Sequence, residues 1–251
     1  MPGVNARRPF GEPTATSCQD HLAEAPISDK TASVRPFLRA SALVTAVLLT
    51  GCGSGDAWPE PRPLPPAVGA LGAGFVTGTP APEATITPAP GSWDGVRPPV
   101  GYRVVLLTKG TDAPTTALVT AVKEWAGAVD ADLRVVTAGH DPVPDIVKAM
   151  DMHPDLIVSA GNDLIDPLAL VTPNHLDQQF LVVGAELAEP THNVTSVDWA
   201  GASFRGEGLG SASTYDPASF TAARCADAIR AGVAAVLSKL TGIVIWLTPR
   251  Q

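Results

Sequence analysis

The stretch "YRVVLLT", residues 102–108, carries Val104, Val105, Leu106 and Leu107 in succession, with no polar residue alternating among them. A strand with one wet face alternates apolar and polar residues; an unbroken, β-branched run marks a strand buried on both faces. Further strands are read at "DLRVVTA" (132–138), "DLIVSAG" (155–161), "QFLVVGA" (179–185), "NVTSVDW" (193–199) and "IVIWL" (243–247), the last a buried run of the same kind. Helical segments fall between the runs. Asp112 can cap a helix in which Leu118, Val122 and Trp125 share one face, and Asp141-Pro142 and Asp166-Pro167 each open another. The spacing predicts a further helix from Asp216-Pro217, with Ile229, Val233, Val236 and Leu240 as its apolar stripe and Gly242 at its end. Strands alternating with helices predict an α/β fold with a single doubly wound, mostly parallel sheet. The few residues between the fourth and fifth strands leave little room for a helix, which puts the fifth strand at an edge or its connection in irregular structure.

Composition divides the chain. Of 25 prolines, 11 lie in residues 53–100, which contain no run able to build a core. That stretch reads as a polyproline-like, Gly-containing tether, reaching at most roughly 150 Å when extended. The folded domain is therefore expected over residues 101–251. The net charge of −8, with 17 basic against 25 acidic side chains and no basic stripe, argues against nucleic-acid binding.

Ahead of the tether, "ASALVTAVLLT" follows Arg35 and Arg39. Eleven apolar-run residues behind positive charge suit a secretory signal and are too few to span a bilayer. The run ends in Leu49-Thr50-Gly51-Cys52, which resembles the bacterial lipobox. That resemblance implies diacylation of the Cys52 thiol, cleavage before it, and anchoring at the extracytoplasmic face of the cell membrane. Residues 1–51 are then a signal peptide with an over-long amino-terminal extension. Val34 is the expected true start, giving "VRPFLRASALVTAVLLTGC". The alternative for Cys52 is a small buried hydrophobe after a helix. With Cys52 acylated and Cys18 removed, Cys225 stands alone and no disulfide forms within the chain.

"YRVVLLT", "HPDLIVSAG", "QFLVVGAE" and "HNVTSVDW" together resemble the amino-terminal lobe of type 1 periplasmic substrate-binding proteins. Among these they are similar to the basic membrane protein family of lipoproteins, some of which bind nucleosides for an ABC importer. The resemblance implies a flavodoxin-like lobe, a small polar ligand, and an importer permease as partner. The family's first loop offers an aspartate and a Phe-Asn pair; here it reads "TKGTDAPTTALV", without that pair. The family also closes two lobes over its ligand, and this chain has residues for one, which should lower affinity.

In such sheets ligands sit beyond the carboxyl ends of the strands. That edge nominates Thr108, Lys109, Asn162, Asp163, Glu186, Asp198 and Trp199 as ligand-binding residues. Asn162 and Asp163 would hydrogen-bond the ligand and Trp199 would stack on a ring. The competing structural roles are a turn cap for Asp163 and a core position for Trp199. Catalysis is not expected: Ser159, His140 and Asp141 form a triad only on paper, without a G-x-S-x-G elbow. The histidines lack metal-ligand spacing, and "GEGLGSAS" (206–213) matches no cofactor-binding glycine motif. No cofactor or metal is expected, and the rival function is an envelope interaction lipoprotein with a vestigial pocket. Cys52→Ala should leave the protein uncleaved and free of radiolabelled palmitate in the producing cells; incorporation by that variant would disprove the anchor.

Overall fold

The computed structural model describes residues 57–249 apart from Pro59 and Ser203. The signal segment and Cys52 lie outside the described residues. Chain order runs β1 (Val68–Gly69), β2 (Thr85–Ile86), β3 (Val96–Arg97), β4 (Arg103–Thr108), α1 (Ala113–Ala128), β5 (Asp132–Thr137), α2 (Val143–Asp151) and β6 (Leu156–Ala160). It continues through α3 (Ile165–Val171), β7 (Phe180–Val183), β8 (Val194–Trp199), α4 (Ala222–Leu237) and β9 (Ile243–Leu247). Among the described residues seven strands form one sheet in the order β2-β9-β8-β7-β6-β4-β5, and every pairing in it is parallel.

The unbroken apolar runs are explained by burial on both sides. Val104 and Leu106 join α1 and α4 in one core layer, while Val105 and Leu107 join α2 and α3 in the other. Leu118, Val122 and Trp125 face the first layer as their spacing requires, and Asp112 caps α1 by accepting from the Thr115 amide at 3.0 Å. Two expectations shift, and a third is decided. Of the two alternatives for the fifth strand the irregular connection is the one found: residues 184–193 contain no helix, and β8 is interior, between β7 and β9. Asp216 caps only a turn at Pro217–Ser219, and Thr221 caps α4. α4 ends at Leu237, with Lys239 left-handed at φ 60°, before Gly242 is reached.

The crossovers differ in hand. α1 carries the chain from β4 outward to β5, whereas α4 carries it from β8 the opposite way to β9, yet both helices pack together on the same face. α2 and α3 step in the direction of α4 but lie on the other face. The β8–α4–β9 connection therefore has the hand opposite to the other three. Direct crossovers are overwhelmingly right-handed, so this one is left-handed. The chain leaving β8 runs through residues 200–221 before α4 begins, which is room enough to change faces.

Residues 58–100 are not a free tether. β2 adds to the main sheet beside β9, and β1 pairs antiparallel with β3. Trp58 is 5% exposed, Phe75 2% and Trp93 1%; Phe75 and Trp93 belong to the α1/α4 core. A buried aromatic side chain removes roughly 150–250 Å² from water, on the order of 4–6 kcal/mol of gross stabilisation each. Three such anchors, widely spaced, hold a proline-rich segment that has no apolar run of its own. Trp58, Phe75 and Trp93 accordingly belong to the packed domain. Trp93→Ala should cost about 3–5 kcal/mol in denaturant unfolding, whereas a change of that kind in a loose tether would leave stability unchanged.

Candidate functional site

The strand order β5-β4-β6 contains the point where the chain reverses its march across the sheet. α1 departs from β4 on one face and α2 arrives at β6 on the other, so the segments beyond these two strands part and leave a crevice. A cleft of about 180 Å³ lies there. Lys109 follows β4 into it, Asn162 and Asp163 follow β6, Asp112 and Thr115 come from the first turn of α1, and Tyr215 closes it from residues 200–221. A second hollow of about 410 Å³ adjoins it, with Asn162 and Tyr215 lining both and Arg205 and Leu209 on its far side.

Local chemistry builds the walls. Asp112 accepts from the Thr115 amide and, at 2.7 Å, from the Thr115 hydroxyl. Burial pushes its carboxyl up, but these bonds together with its own amide outweigh that and hold it below the usual carboxylate range. Partial burial raises the Tyr215 phenol, and the Asp112 charge adds to the effect. Gly161 joins β6 to Asn162 at φ 121°, and a Cβ there would lie 2.4 Å from the Lys109 carbonyl oxygen. Only glycine lets the two loops approach so closely. Lys109 turns its ammonium to donate to the His140 carbonyl at 3.3 Å.

The seven residues nominated from sequence divide. Lys109, Asn162 and Asp163 line the cleft, and Asn162 lines both hollows. Thr108 is buried at the end of β4. Glu186 is buried with its Oε1 2.7 Å from Arg205 Nε; desolvation raises its carboxyl and the guanidinium draws it back. Asp198 and Trp199 are sealed from solvent, both 0% exposed. Trp199 donates from Nε1 to Ser219 Oγ at 3.0 Å and meets Phe220 edge-on at 5.0 Å between ring centres. Phe220 in turn sits over Gly184, where a Cβ would be 2.6 Å from its ring. The returning segment thus plugs the carboxyl edge at β7 and β8, and Trp199 is core. Ser159 is buried within β6, and its hydroxyl has no hydrogen-bond partner, histidine or otherwise, among the described residues.

Asp112, Thr115, Tyr215 and Phe220 also line the cleft and lie outside those seven. A helix cap directly after a parallel strand must sit at the carboxyl edge, so the signal for Asp112 and Thr115 was in the sequence. Nothing in the sequence places Tyr215 opposite them.

No family model matches the chain, and no curated protein matches it. Among solved structures it is similar to an ABC transporter solute-binding protein from Aeropyrum pernix K1, with 19% identity and TM-score 0.34 over 39% of this chain and 29% of that one. A second solute-binding protein, from Conexibacter woesei DSM 14684, gives 21% identity and TM-score 0.32 over 39% of this chain and 35% of that one. A fragment of a candidate lipoprotein from Peptoclostridium difficile 630 gives 18% and 0.36 over 55% of this chain and 99% of the fragment. The chain spans about a third of the length of the two solute-binding proteins. No helix among the described residues is long and apolar enough to cross a membrane.

Asp112→Ala should destabilise the domain by about 1 kcal/mol at neutral pH through loss of the α1 cap. Because the folded carboxyl lies below its unfolded value, the stabilisation is present above the unfolded pKa and is lost as pH falls through the folded one. Urea unfolding of both proteins at pH 7 and pH 3 should show the gap closing in acid.

Proposed function

We propose that this chain is a lipid-anchored protein of the extracytoplasmic membrane face whose single α/β lobe binds a small polar ligand in the cleft between β4 and β6. The observation that carries the reading is the cleft's position at the reversal point of a parallel sheet, where polar loop residues after β4 and β6 meet the first turn of α1 and the core side chains Leu118 and Phe220. Asn162 supplies an amide able to donate and accept, and Tyr215 supplies a ring face. Asp112 and Asp163 supply carboxylates, with Lys109 the one cation among the described residues that line this cleft. This balance suits a hydroxylated or cationic ligand better than an anion. Support for the anchor comes from Leu49-Thr50-Gly51-Cys52, with residues 1–51 as the leader. An importer permease is the partner that a soluble-ligand carrier of this kind would serve.

A second reading has its own observation. Phe220, Trp199 and Ser219 fill the edge at β7 and β8 and leave the open cleft small. An envelope interaction protein with a vestigial pocket would look like this.

Thermal unfolding in the presence of amino acids, sugars and nucleosides separates the two. A ligand at a hundred times its Kd adds about 2.7 kcal/mol, which for a domain of this size raises Tm by roughly 5–10 °C. Asn162→Ala and Tyr215→Ala should each reduce that shift while leaving the ligand-free Tm nearly unchanged. If no solute raises Tm, the interaction reading takes its place.

A further inference from the structure

The amino edge of the sheet is where the chain from Cys52 is caught. Trp58 donates from its backbone amide to the Met152 carbonyl at 3.1 Å and from Nε1 to Asp132 Oδ2 at 2.6 Å. The Arg134 guanidinium lies 3.8 Å from the Trp58 ring centre, with Arg103 on the same ring at 5.8 Å. Four residues on, Arg62 Nε donates to Asp155 Oδ1 at 2.9 Å, and its Nη2 bonds both Asp155 Oδ2 and the Gly101 carbonyl. Asp155 is buried and also accepts from the Arg103 amide at 2.8 Å. Arg103 Nη1 closes the set by donating to the Glu60 carbonyl at 2.6 Å. Asp132 and Arg103 are the first residues of β5 and β4, and Asp155 directly precedes β6. The clasp therefore sits at the end of the sheet opposite the cleft.

Five residues separate Cys52 from Trp58. Fully extended, that leash reaches about 20 Å, against the roughly 150 Å expected of a 48-residue tether. A domain of this length has a radius of gyration of about 16 Å, so a path from one end to the other around its surface is at least about 50 Å. The leash is too short to let the domain turn over. We infer that the amino edge of the sheet is a membrane-facing surface, its partner the lipid bilayer, and that the clasp holds the cleft pointing away from it. The inference rests on acylation of Cys52. Glu60, Arg62, His153 and Asp177 are exposed or half-exposed residues of the face that meets the headgroups. The six-residue strands then set the cleft about 20 Å farther out, open to solutes on the extracytoplasmic side and turned away from the bilayer, so a permease would have to reach it around the domain.

The test uses the full chain recovered from membranes of palmitate-labelled cells and reconstituted in vesicles carrying a short-range quencher on the lipid headgroups. One fluorophore is placed through His153→Cys at the amino edge and, in a separate variant, through Glu207→Cys beyond the carboxyl edge. Cys225 takes no dye: it is fully buried, and burial pushes its thiol up to about 11. The dye at residue 153 should be quenched several-fold more than the dye at residue 207. A Gly/Ser insertion of about twenty residues between Gly55 and Asp56 lengthens the leash without touching the clasp, and it should erase the difference. Equal or reversed quenching in palmitate-bearing protein overturns the orientation alone, as does a difference that survives the insertion. Protein that carries no palmitate overturns the anchor and the orientation together.

Discussion

Strand β4 is paired on both sides, with β5 and with β6, and the layering of the helices and the position of the cleft both depend on this double pairing. β4 is apolar on both faces because helices cover both faces of a sheet connected by crossovers. The chain leaves β4 for one neighbour and must cross back over it to reach the other. That reversal sends α1 and α2 to opposite faces and opens the cleft between Lys109 and Asn162. Gly161 then allows the two loops to close to a distance no side chain would permit.

The clasp at Trp58 and Arg62 works on a different principle. It contains little apolar area beyond one indole, and its strength lies in paired charges around a buried carboxylate. Asp155 would be costly to bury alone; Arg62 and the Arg103 amide satisfy it, and Asp155 in turn holds the Arg62 guanidinium charged. Prolines suit the segment after the clasp, since it crosses the surface in extended form with few backbone donors to satisfy. Proline richness marks low hydrogen bonding rather than freedom, and here isolated aromatic anchors order a segment whose average composition reads as a linker. A window average dilutes Trp58, Phe75 and Trp93 among polar neighbours; packing does not.

Residues 200–221 form the third determinant. By carrying the chain across the carboxyl edge they permit the left-handed return through α4, and they deliver Tyr215, Ser219 and Phe220 over the ends of β6 to β8. The consequence for the site is a division of the edge into a plugged half and an open half. Trp199 and Asp198, at the end of β8, fall under the plug; Lys109, Asn162 and Asp163, at the ends of β4 and β6, remain in the open.

Taken alone, the sequence determined the six long strands, the cap at Asp112, the alternation that makes the sheet parallel and the edge at which a site must lie. These depend on local pattern: burial on both faces favours the apolar runs of β4, β7 and β9, and a capped amphipathic helix imposes its own period. Tertiary structure alone decided which carboxyl-edge residues meet solvent, that Trp58, Phe75 and Trp93 pack into the domain, and which hand the last crossover takes. Each of those depends on contacts between segments far apart in the chain: Trp58 with Asp132, Arg62 with Asp155, Phe220 with Gly184. No periodicity within a segment records a partner that lies in another, and only the folded chain brings such partners together.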